Sequence, residues 1–246
     1  MLESPALLSD FVQDYSIYSN FFNWTMTYRR DSDVFVPYGL YMPLPQPTDP
    51  EHILRRVKAL PKRKLVAWVS SHCKTVSKRE EYVRQLQKHL PVDVFGKCGE
   101  KNCPGDQIDN GECESLLERD YMFYLSFENA NCTDYVTEKF FMALRMDIVP
   151  VVFGGANYSA SAPPHSFIDA NDFASPLELA RELQRLSVAE EEYLNYFLWK
   201  ADFRVEVVEK VKRLSCGLCK ALNQPRPSNI YHDLTAWWRV AGNCKM

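Results

Sequence analysis

Short apolar runs alternate with segments of helical periodicity along the chain from about residue 51 onward. Four of these runs have the length and composition of buried strands, and they cover residues 65–71, 92–96, 121–127 and 147–154. Between them, apolar residues recur every three or four positions, as expected for one face of a helix. Strand–helix alternation of this kind predicts an α/β fold built on a parallel sheet with helices on both faces.

Two short motifs predict where helices begin. Ser77 and Glu80 form one capping box, and Ser175 and Glu178 form a second. In the second box, Pro176 takes the first helical position, which is the favoured place for proline in a helix. We therefore expect helices to start directly after Ser77 and Ser175.

Composition divides the chain into three parts. Residues 43–50 carry four prolines and predict a linker. The aromatic-rich piece before it, residues 15–39, is too short to be a domain, so the main domain would follow the linker. Near the end of that domain, residues 191–214 predict one or two further helices.

The overall composition is that of an ordinary globular protein. The chain has 246 residues, of which 46% are hydrophobic, enough for one sizeable core or two small ones. Its net charge is -3, so no basic field favours nucleic acid or an anionic membrane as a partner. No run reaches the roughly 18 to 20 apolar residues of a membrane span, and the N-terminus does not have the pattern of a signal peptide.

Cysteines and sequons indicate a lumenal compartment. The chain has eight cysteines and three glycosylation sequons, at Asn23, Asn131 and Asn157. Together these features favour an oxidising environment and disulfides. Zinc is the alternative, because the spacings of Cys98, Cys103 and Cys113 and of Cys216 and Cys219 are loosely ligand-like.

Two strand–helix junctions carry a cation at the edge where a parallel sheet usually binds its ligand. Arg79 follows the first strand run, and Lys139 follows the third, directly after Glu138. A cation there faces the positive end of the helix dipole, which costs about 0.3–1 kcal/mol when exposed. An anion bound between the two cations would turn this cost into a net stabilisation. The pair therefore indicates an anion site, the alternative being that both side chains extend into water.

Several other kinds of site are not indicated. The chain contains neither G-x-G-x-x-G nor a Walker pattern, which disfavours a reductase that uses a nicotinamide cofactor. Its five scattered histidines form no recognisable catalytic arrangement. Taken alone, Glu138 and Lys139 could also be a solvated surface pair, which would contribute little.

The segment FYLSFENANCTDYVTEKFF, residues 123–141, closely resembles the signature of the α1,3-fucosyltransferase family, whose members use GDP-fucose. The cysteine pattern that begins at Cys98 is most similar to that of invertebrate members. Further similar segments follow in collinear order over nearly the whole chain, at residues 22–39, 68–86, 92–99, 147–173, 193–200 and 216–222.

The resemblance implies the fold of a GT-B glycosyltransferase, which consists of two facing Rossmann-like domains. Residues 51–246 would be its C-terminal domain, which binds GDP-fucose, and residues 1–42 a remnant of the N-terminal acceptor domain. Family members are type II membrane proteins of the Golgi lumen. The full-length protein is therefore expected there, in contact with the membrane only through an N-terminal anchor outside these 246 residues.

Residue roles also follow from the resemblance. Matched motif to motif, Arg79 and Lys139 would hold the diphosphate of the donor, Asn129 and Tyr135 would contact the donor, and Glu138 would stabilise the fucose ring in the transition state. No metal cofactor is expected to be required. A divalent cation could stimulate the reaction, but no protein site is expected for it.

The function that the resemblance implies is inverting transfer of L-fucose from GDP-fucose, in α1,3 linkage, to GlcNAc of a glycoprotein glycan. The acceptor could be a core N-glycan or a Lewis-type antenna. The family's catalytic base is a carboxylate, and it is expected outside this chain. The alternative is a non-catalytic fragment that binds the nucleotide sugar. None of the acids in residues 1–42 matches the motif of the base: Glu3, Asp10, Asp14, Asp31 and Asp33.

Disulfide pairing is the last expectation drawn from the family. In relatives the terminal Cys-x-x-Cys pairs with cysteines near the start of the catalytic region, so Cys216 and Cys219 would have no partners here. The remaining candidates are Cys73–Cys132 and one bridge among Cys98, Cys103 and Cys113, because connectivity does not follow from sequence.

Overall fold

Nine strands lie within the part of the chain that the computed structural model describes, residues 16–103, 111–207, 217–224 and 229–244. Five of them form a parallel sheet, and the α/β fold and parallel sheet predicted from the strand–helix alternation are confirmed. In chain order the strands are β1 (Met26–Thr27), β2 (Val34–Phe35), β3 (Gly39–Pro43), β4 (Lys64–Val69), β5 (Val92–Phe95), β6 (Tyr121–Phe127), β7 (Val149–Phe153), β8 (Ile168–Asp169) and β9 (Phe203–Val207). The order in the sheet is β5-β4-β6-β7-β8.

Six α-helices with both ends in the described ranges accompany these strands, and they cover both faces of the sheet. They are α1 (Pro50–Lys58), α2 (Arg79–Leu86), α3 (Glu112–Asp120), α4 (Glu138–Arg145), α5 (Pro176–Val188) and α6 (Glu190–Asn195). None of the described helices has the length and apolarity needed to cross a membrane.

The core is divided by the sheet because side chains alternate along each strand. From β6, Phe123, Leu125 and Phe127 point to one face, where they join apolar residues of α1, α2 and α5. From the same strand, Tyr124 points to the other face and joins residues of α3 and α4. Every residue of β6 except Met122 is buried, so the loop that follows this strand is anchored from both sides.

The predicted start of α5 is confirmed. The Ser175 hydroxyl accepts a hydrogen bond from the N–H of Glu178 at 3.4 Å, and Pro176 is the first helical residue. The Glu178 carboxylate turns back and accepts from the N–H of Ala174 at 3.1 Å. Two N–H groups at the helix start are therefore satisfied by side chains.

The predicted capping box at Ser77 is wrong. Helix α2 begins at Arg79, and its N-cap, Lys78, has left-handed backbone angles and makes no side-chain cap bond. Glu80 accepts instead from the hydroxyl of Thr75 at 2.8 Å. Ser77 is buried and donates its hydroxyl hydrogen to the carbonyl oxygen of Glu128, also at 2.8 Å. Ser77 therefore bonds to the loop after β6 and not to its own helix. Its partner, Glu128, lies 51 residues away, and local sequence does not reveal it.

The prediction of helices over residues 191–214 is only partly right. Helix α6 fits it, but the following segment forms β9, which pairs antiparallel with β3. Along β9, partly buried residues alternate with exposed ones, the period of a strand. Residues 208–214 lie outside the described residues. The proline-rich segment also runs against this region, since the N–H of Leu44 donates to the carbonyl oxygen of Asp202 at 2.8 Å.

An aromatic cluster joins the N-terminal segment to the C-terminal end and supports the loop after β6. The ring of Tyr28 lies 4.9 Å from that of Tyr135 and 5.7 Å from that of Trp238. A disulfide between Cys132 and Cys244 ties the same two regions covalently. These contacts fix the backbone that leads into α4.

The disulfides correct one expectation and confirm another. Cys73 pairs with Cys98, so the candidate pair Cys73–Cys132 is wrong. The bridge expected among Cys98, Cys103 and Cys113 is Cys103–Cys113. Sequence spacing could not choose between these pairs, because the loop after β4, which contains Cys73, approaches the end of β5 only in the folded chain. Cys219 is a free thiol, and Cys216 lies outside the described residues.

Candidate functional site

The carboxyl ends of β4 and β6 meet at one edge of the sheet, and two loops cross there. The loop after β4 begins at Ser70 and leads into α2, whose first residue is Arg79. The loop after β6 begins at Glu128 and leads into α4, whose second residue is Lys139. The structure therefore brings together the two cations that the sequence singles out.

Arg79 is almost completely buried, with 2% of its surface exposed. Its guanidinium donates to the carbonyl oxygen of Phe127 at 2.6 Å and to the hydroxyl of Ser70 at 3.1 Å. It therefore joins the ends of β4 and β6. Burial lowers the pKa of Arg79, and the nearby carboxylate of Glu128 partly offsets that effect. Its Nε has no hydrogen-bond partner among the described residues, which leaves one buried donor of the guanidinium unused.

Lys139 lies among oxygen atoms at the start of α4. Its ammonium donates to the hydroxyl of Thr137 at 2.7 Å, to Glu138 at 3.0 Å and to Glu128 at 3.4 Å. Burial alone would lower the pKa of Lys139, but the carboxylates of Glu128 and Glu138 outweigh it and the pKa is raised. The Glu138 side chain is 45% exposed and that of Lys139 is 23% exposed, so this end of the cluster faces solvent.

Glu128 is the central group that the sequence analysis missed. Its side chain has no exposed surface, and its carboxylate accepts from the N–H of Thr137 at 2.7 Å and from the Thr137 hydroxyl at 2.8 Å. Burial raises the pKa of Glu128, although Lys139 and Thr137 act in the opposite direction. The only sequence signal was its position, since Glu128 is the first residue after the apolar strand run 121–127, where a carboxylate that turns inward has to find partners.

Asn129 and Tyr135, the other two predicted donor contacts, lie in the same loop and touch each other. The Tyr135 hydroxyl donates to the side-chain oxygen of Asn129 at 3.0 Å. Tyr135 is buried against Tyr28, whereas Asn129 is half-buried. All five residues matched to donor binding therefore lie in or beside the two loops at this edge.

The three sequons differ in exposure. Asn23 and Asn157 are exposed, and the side-chain nitrogen of Asn23 donates to the carbonyl oxygen of Asn229 at 2.9 Å. Asn131 is half-buried, and its side-chain oxygen is buried without a hydrogen-bond partner among the described residues. Attachment of a glycan stays a prediction at each position, and Asn23 and Asn157 are the more accessible of the three.

No cluster of three or more metal-ligating side chains occurs among the residues that the structure describes. Cys98, Cys103 and Cys113 are all in disulfides, so their thiols are not free to bind zinc. The positive charges of Arg79 and Lys139 at this edge are suited to stabilise an anion.

Two family models match the chain. "Glycosyltransferase family 10 (fucosyltransferase) C-term" matches residues 59–237, and "Fucosyltransferase, N-terminal" matches residues 1–39. The chain belongs to glycosyltransferase family 10, the fucosyltransferases. The family's C-terminal match contains both loops of the site and all five residues assigned to the donor.

Curated relatives of this family 10 chain are α-(1,3)-fucosyltransferases. Alpha-(1,3)-fucosyltransferase C of Drosophila melanogaster is 39% identical over 237 residues, covering 89% of this chain and 54% of the relative. Glycoprotein 3-alpha-L-fucosyltransferase A of the same species is 40% identical over 230 residues, covering 90% and 44%. Alpha-(1,3)-fucosyltransferase 7 of Bos taurus is 41% identical over 226 residues, covering 89% and 60%. The chain spans about half the length of the curated relatives it matches.

Solved structures show the same fold. Crystal structures of an α1,3-fucosyltransferase with GDP-fucose and with GDP superpose with TM-scores of 0.51 and 0.50. Each is 24% identical in sequence, and each match covers 76% of this chain and 51% of the solved chain. The fold expected from the family resemblance, a Rossmann-like sheet of the GT-B type, is therefore confirmed.

Proposed function

We propose that this fucosyltransferase-family chain binds GDP-fucose at the edge formed by β4 and β6. The observation that carries the proposal is the convergence of Arg79 and Lys139 on the end of β6, one bonded to Phe127 and the other to Glu128. Two cations and the N-terminal N–H groups of α4 suit a diphosphate. A solved neighbour bound to GDP-fucose, which has the same fold, supports this assignment.

The reaction proposed for the whole protein is an inverting displacement. A hydroxyl oxygen of GlcNAc attacks the anomeric carbon of fucose, and the bond from that carbon to the diphosphate oxygen breaks. GDP departs with the electron pair, while the hydroxyl proton passes to a carboxylate base. Lys139 and Arg79 stabilise the departing charge, and Glu138 stabilises the positive charge that develops on the sugar ring.

The acceptor is proposed to be a glycan on a glycoprotein, in α1,3 linkage, and the compartment to be the Golgi lumen, reached as a type II membrane protein. The name of the Drosophila glycoprotein 3-alpha-L-fucosyltransferase A supports this acceptor class. Three disulfides suit an oxidising lumen. The choice between a core N-glycan and a Lewis-type antenna belongs to the acceptor side of the site.

The alternative, a nucleotide-sugar-binding fragment without transferase activity, is favoured by one observation. Asp31 and Asp33, the described acids of residues 1–42, both serve the local structure. Asp31 pairs with buried Arg29 at 2.6 Å, and Asp33 accepts from the N–H of Thr25 at 2.8 Å. Neither carboxylate is free to act as the base. Glu3, Asp10 and Asp14 lie outside the described residues.

Calorimetry of the 246-residue chain with GDP, followed by a transfer assay with GDP-fucose and N-glycan acceptors, tests the proposal. We expect GDP binding without added metal. Binding without transfer by this chain, together with transfer once an acceptor domain of a relative is fused to it, would support the donor-domain assignment. Absence of GDP binding by the folded chain would refute it.

A further inference from the structure

Glu128 occupies the centre of the proposed donor site, yet the chemistry described above gives it no role. Both of its carboxylate oxygens are engaged at the start of α4. One accepts from the N–H and the hydroxyl of Thr137, at 2.7 and 2.9 Å. The other accepts from the same hydroxyl at 2.8 Å and from the Lys139 ammonium at 3.4 Å.

We infer that Glu128 is a positioning residue of the donor site, whose carboxylate holds the first turn of α4 and the Lys139 ammonium in the arrangement that receives the diphosphate. The inference rests on the proposed function. It assigns Glu128 a contact with Lys139 and with Thr137, not with the substrate.

The first argument concerns the helix start. Thr137 is the N-cap of α4, but its side chain makes no cap bond to the helix. Its hydroxyl and its N–H point to Glu128 instead, so the carboxylate provides the negative charge that the N-terminus of a helix attracts. Displacement of this carboxylate would release the turn that carries both Glu138 and Lys139.

The second argument concerns charge. A cap needs only acceptor atoms, which a glutamine side chain also offers. A fully buried carboxylate, in contrast, is costly unless a cation pairs with it. Lys139 is that cation, and of its two carboxylate partners only Glu128 is enclosed by protein. Glu138 faces solvent with 45% of its side chain exposed, whereas Glu128 is enclosed beside Lys139.

The surroundings leave few other groups that could substitute for Glu128. Lys139 faces Arg79 from α2 and the phenol of Tyr124 from β6, besides the two glutamates. Glu128 also faces the phenol of Tyr158. Burial raises the pKa of both tyrosines, so both stay neutral near pH 7. Among the described groups, Glu128 and Glu138 are thus the anions next to Lys139.

The test compares GDP affinity as a function of pH in the unmodified chain and in Glu128→Gln. Without its buried counter-ion, Lys139 releases its proton at lower pH. The pH at which GDP affinity begins to fall should therefore be lower by about 1–3 units in Glu128→Gln than in the unmodified chain, the usual effect of an opposite charge within about 4–6 Å. Taking the ratio of the two affinities at each pH removes the titration of GDP itself. NMR titration of the Lys139 ammonium measures the same shift without any ligand.

Two variants separate positioning from structure. Thr137→Val removes the hydroxyl that links both groups but leaves the Glu128 charge, so it should lower stability and keep the pH profile. Glu114→Gln removes the partner of Arg145, 3.1 Å away at the far end of α4, and should change neither property of the site. Should Glu128→Gln fail to fold, Glu128→Asp retains the charge and should retain the pH profile.

The outcomes separate two failures. If the unmodified chain binds GDP and the relative affinity of Glu128→Gln does not depend on pH, the inference is overturned and the proposed function stands. An equal shift in Thr137→Val would also overturn it, because the role of Glu128 would then be structural. If the folded, unmodified chain does not bind GDP, both fail, whatever the NMR titration shows.

Discussion

The ammonium of Lys139 lies 3.4 Å from the carboxylate of Glu128, a side chain with no exposed surface. These two residues are separated by the whole loop between β6 and α4, so their contact closes that loop. The cation at the helix start, which the helix dipole disfavours, is therefore stabilised by an internal anion even without a ligand. The site combines an enclosed ion pair with a solvent-facing edge.

Lys139 should contribute directly to donor affinity. Replacement by Met retains the aliphatic stem and removes the charge, so we expect Lys139→Met to bind GDP about 10- to 100-fold more weakly, the usual range for loss of a charge-assisted contact. Calorimetry at constant ionic strength measures the change. Lys88→Met, an exposed lysine near the end of α2, is the matched control. Equal affinities for Lys139→Met and the control would contradict the role assigned to Lys139.

Arg79 should contribute to the stability of the fold as well as to the binding of the ligand. Its guanidinium bonds to Phe127 and Ser70, so Arg79→Lys, which has no planar fork, should lower the free energy of unfolding by about 2–4 kcal/mol. Urea denaturation measures this loss. Arg84→Lys, on the exposed side of the same helix, should be neutral. A stable Arg79→Lys chain would mean that the guanidinium does not join the two strands.

The sequence was enough to predict that Arg79 and Lys139 lie at one edge of the sheet, because nearby residues alone define the strands and helices that carry them. Apolar runs and helical periodicity define each strand and helix, and parallel strands place their carboxyl ends side by side. Glu128 did not follow, because whether a side chain turns inward or outward after a strand depends on what packs over it. The same limit explains Ser77, whose partner lies in another loop.

Long-range pairing explains the remaining errors. Strand β9 forms because β3, more than 150 residues earlier, offers it a free edge, as the register Gly39 to Val207 shows. Residues 191–214 alone do not reveal that they pair with β3, and the spacing of their apolar residues also fits a helix. The Cys73–Cys98 pair was missed for a similar reason, since Cys73 has no distinguishing spacing.

Gly154 should be intolerant of any side chain because of Tyr158. A Cβ at this position would overlap the Tyr158 hydroxyl, which is buried without a hydrogen-bond partner among the described residues. Gly154→Ala should therefore cost about 1–3 kcal/mol in unfolding free energy. Tyr158→Phe removes the hydroxyl, after which the nearest remaining ring atom, Cζ, lies at an ordinary 3.4 Å from the new Cβ.

A double-mutant cycle tests this relationship by urea denaturation. Tyr158→Phe alone should be close to neutral, because an unpaired buried hydroxyl contributes nothing that is lost. Gly154→Ala combined with Tyr158→Phe should recover most of the stability lost in Gly154→Ala. Additive effects of the two substitutions would show that the Tyr158 hydroxyl is not the source of the clash.

Lys62 should make stability rise with pH above neutrality. Its ammonium donates to the carbonyl oxygens of Glu118 at 2.5 Å, of Tyr121 at 2.8 Å and of Asp147, and burial lowers its pKa to about 7. In the unfolded chain the same group has a pKa near 10.5. Between these two values the unfolded chain binds more protons than the folded one, so the free energy of unfolding increases with pH.

The test measures the free energy of unfolding of the unmodified chain and of Lys62→Met by urea denaturation. The pH values run from about 6 to about 10, on either side of the folded-state pKa of Lys62. The stability of the unmodified chain relative to the variant should increase over this interval and level off below pH 7, where Lys62 is charged in both states. Lys58→Met, in an exposed pair with Glu190 at 3.3 Å, should show no such trend. A constant difference between the unmodified chain and Lys62→Met would mean that the three carbonyl oxygens compensate fully for the burial of this ammonium.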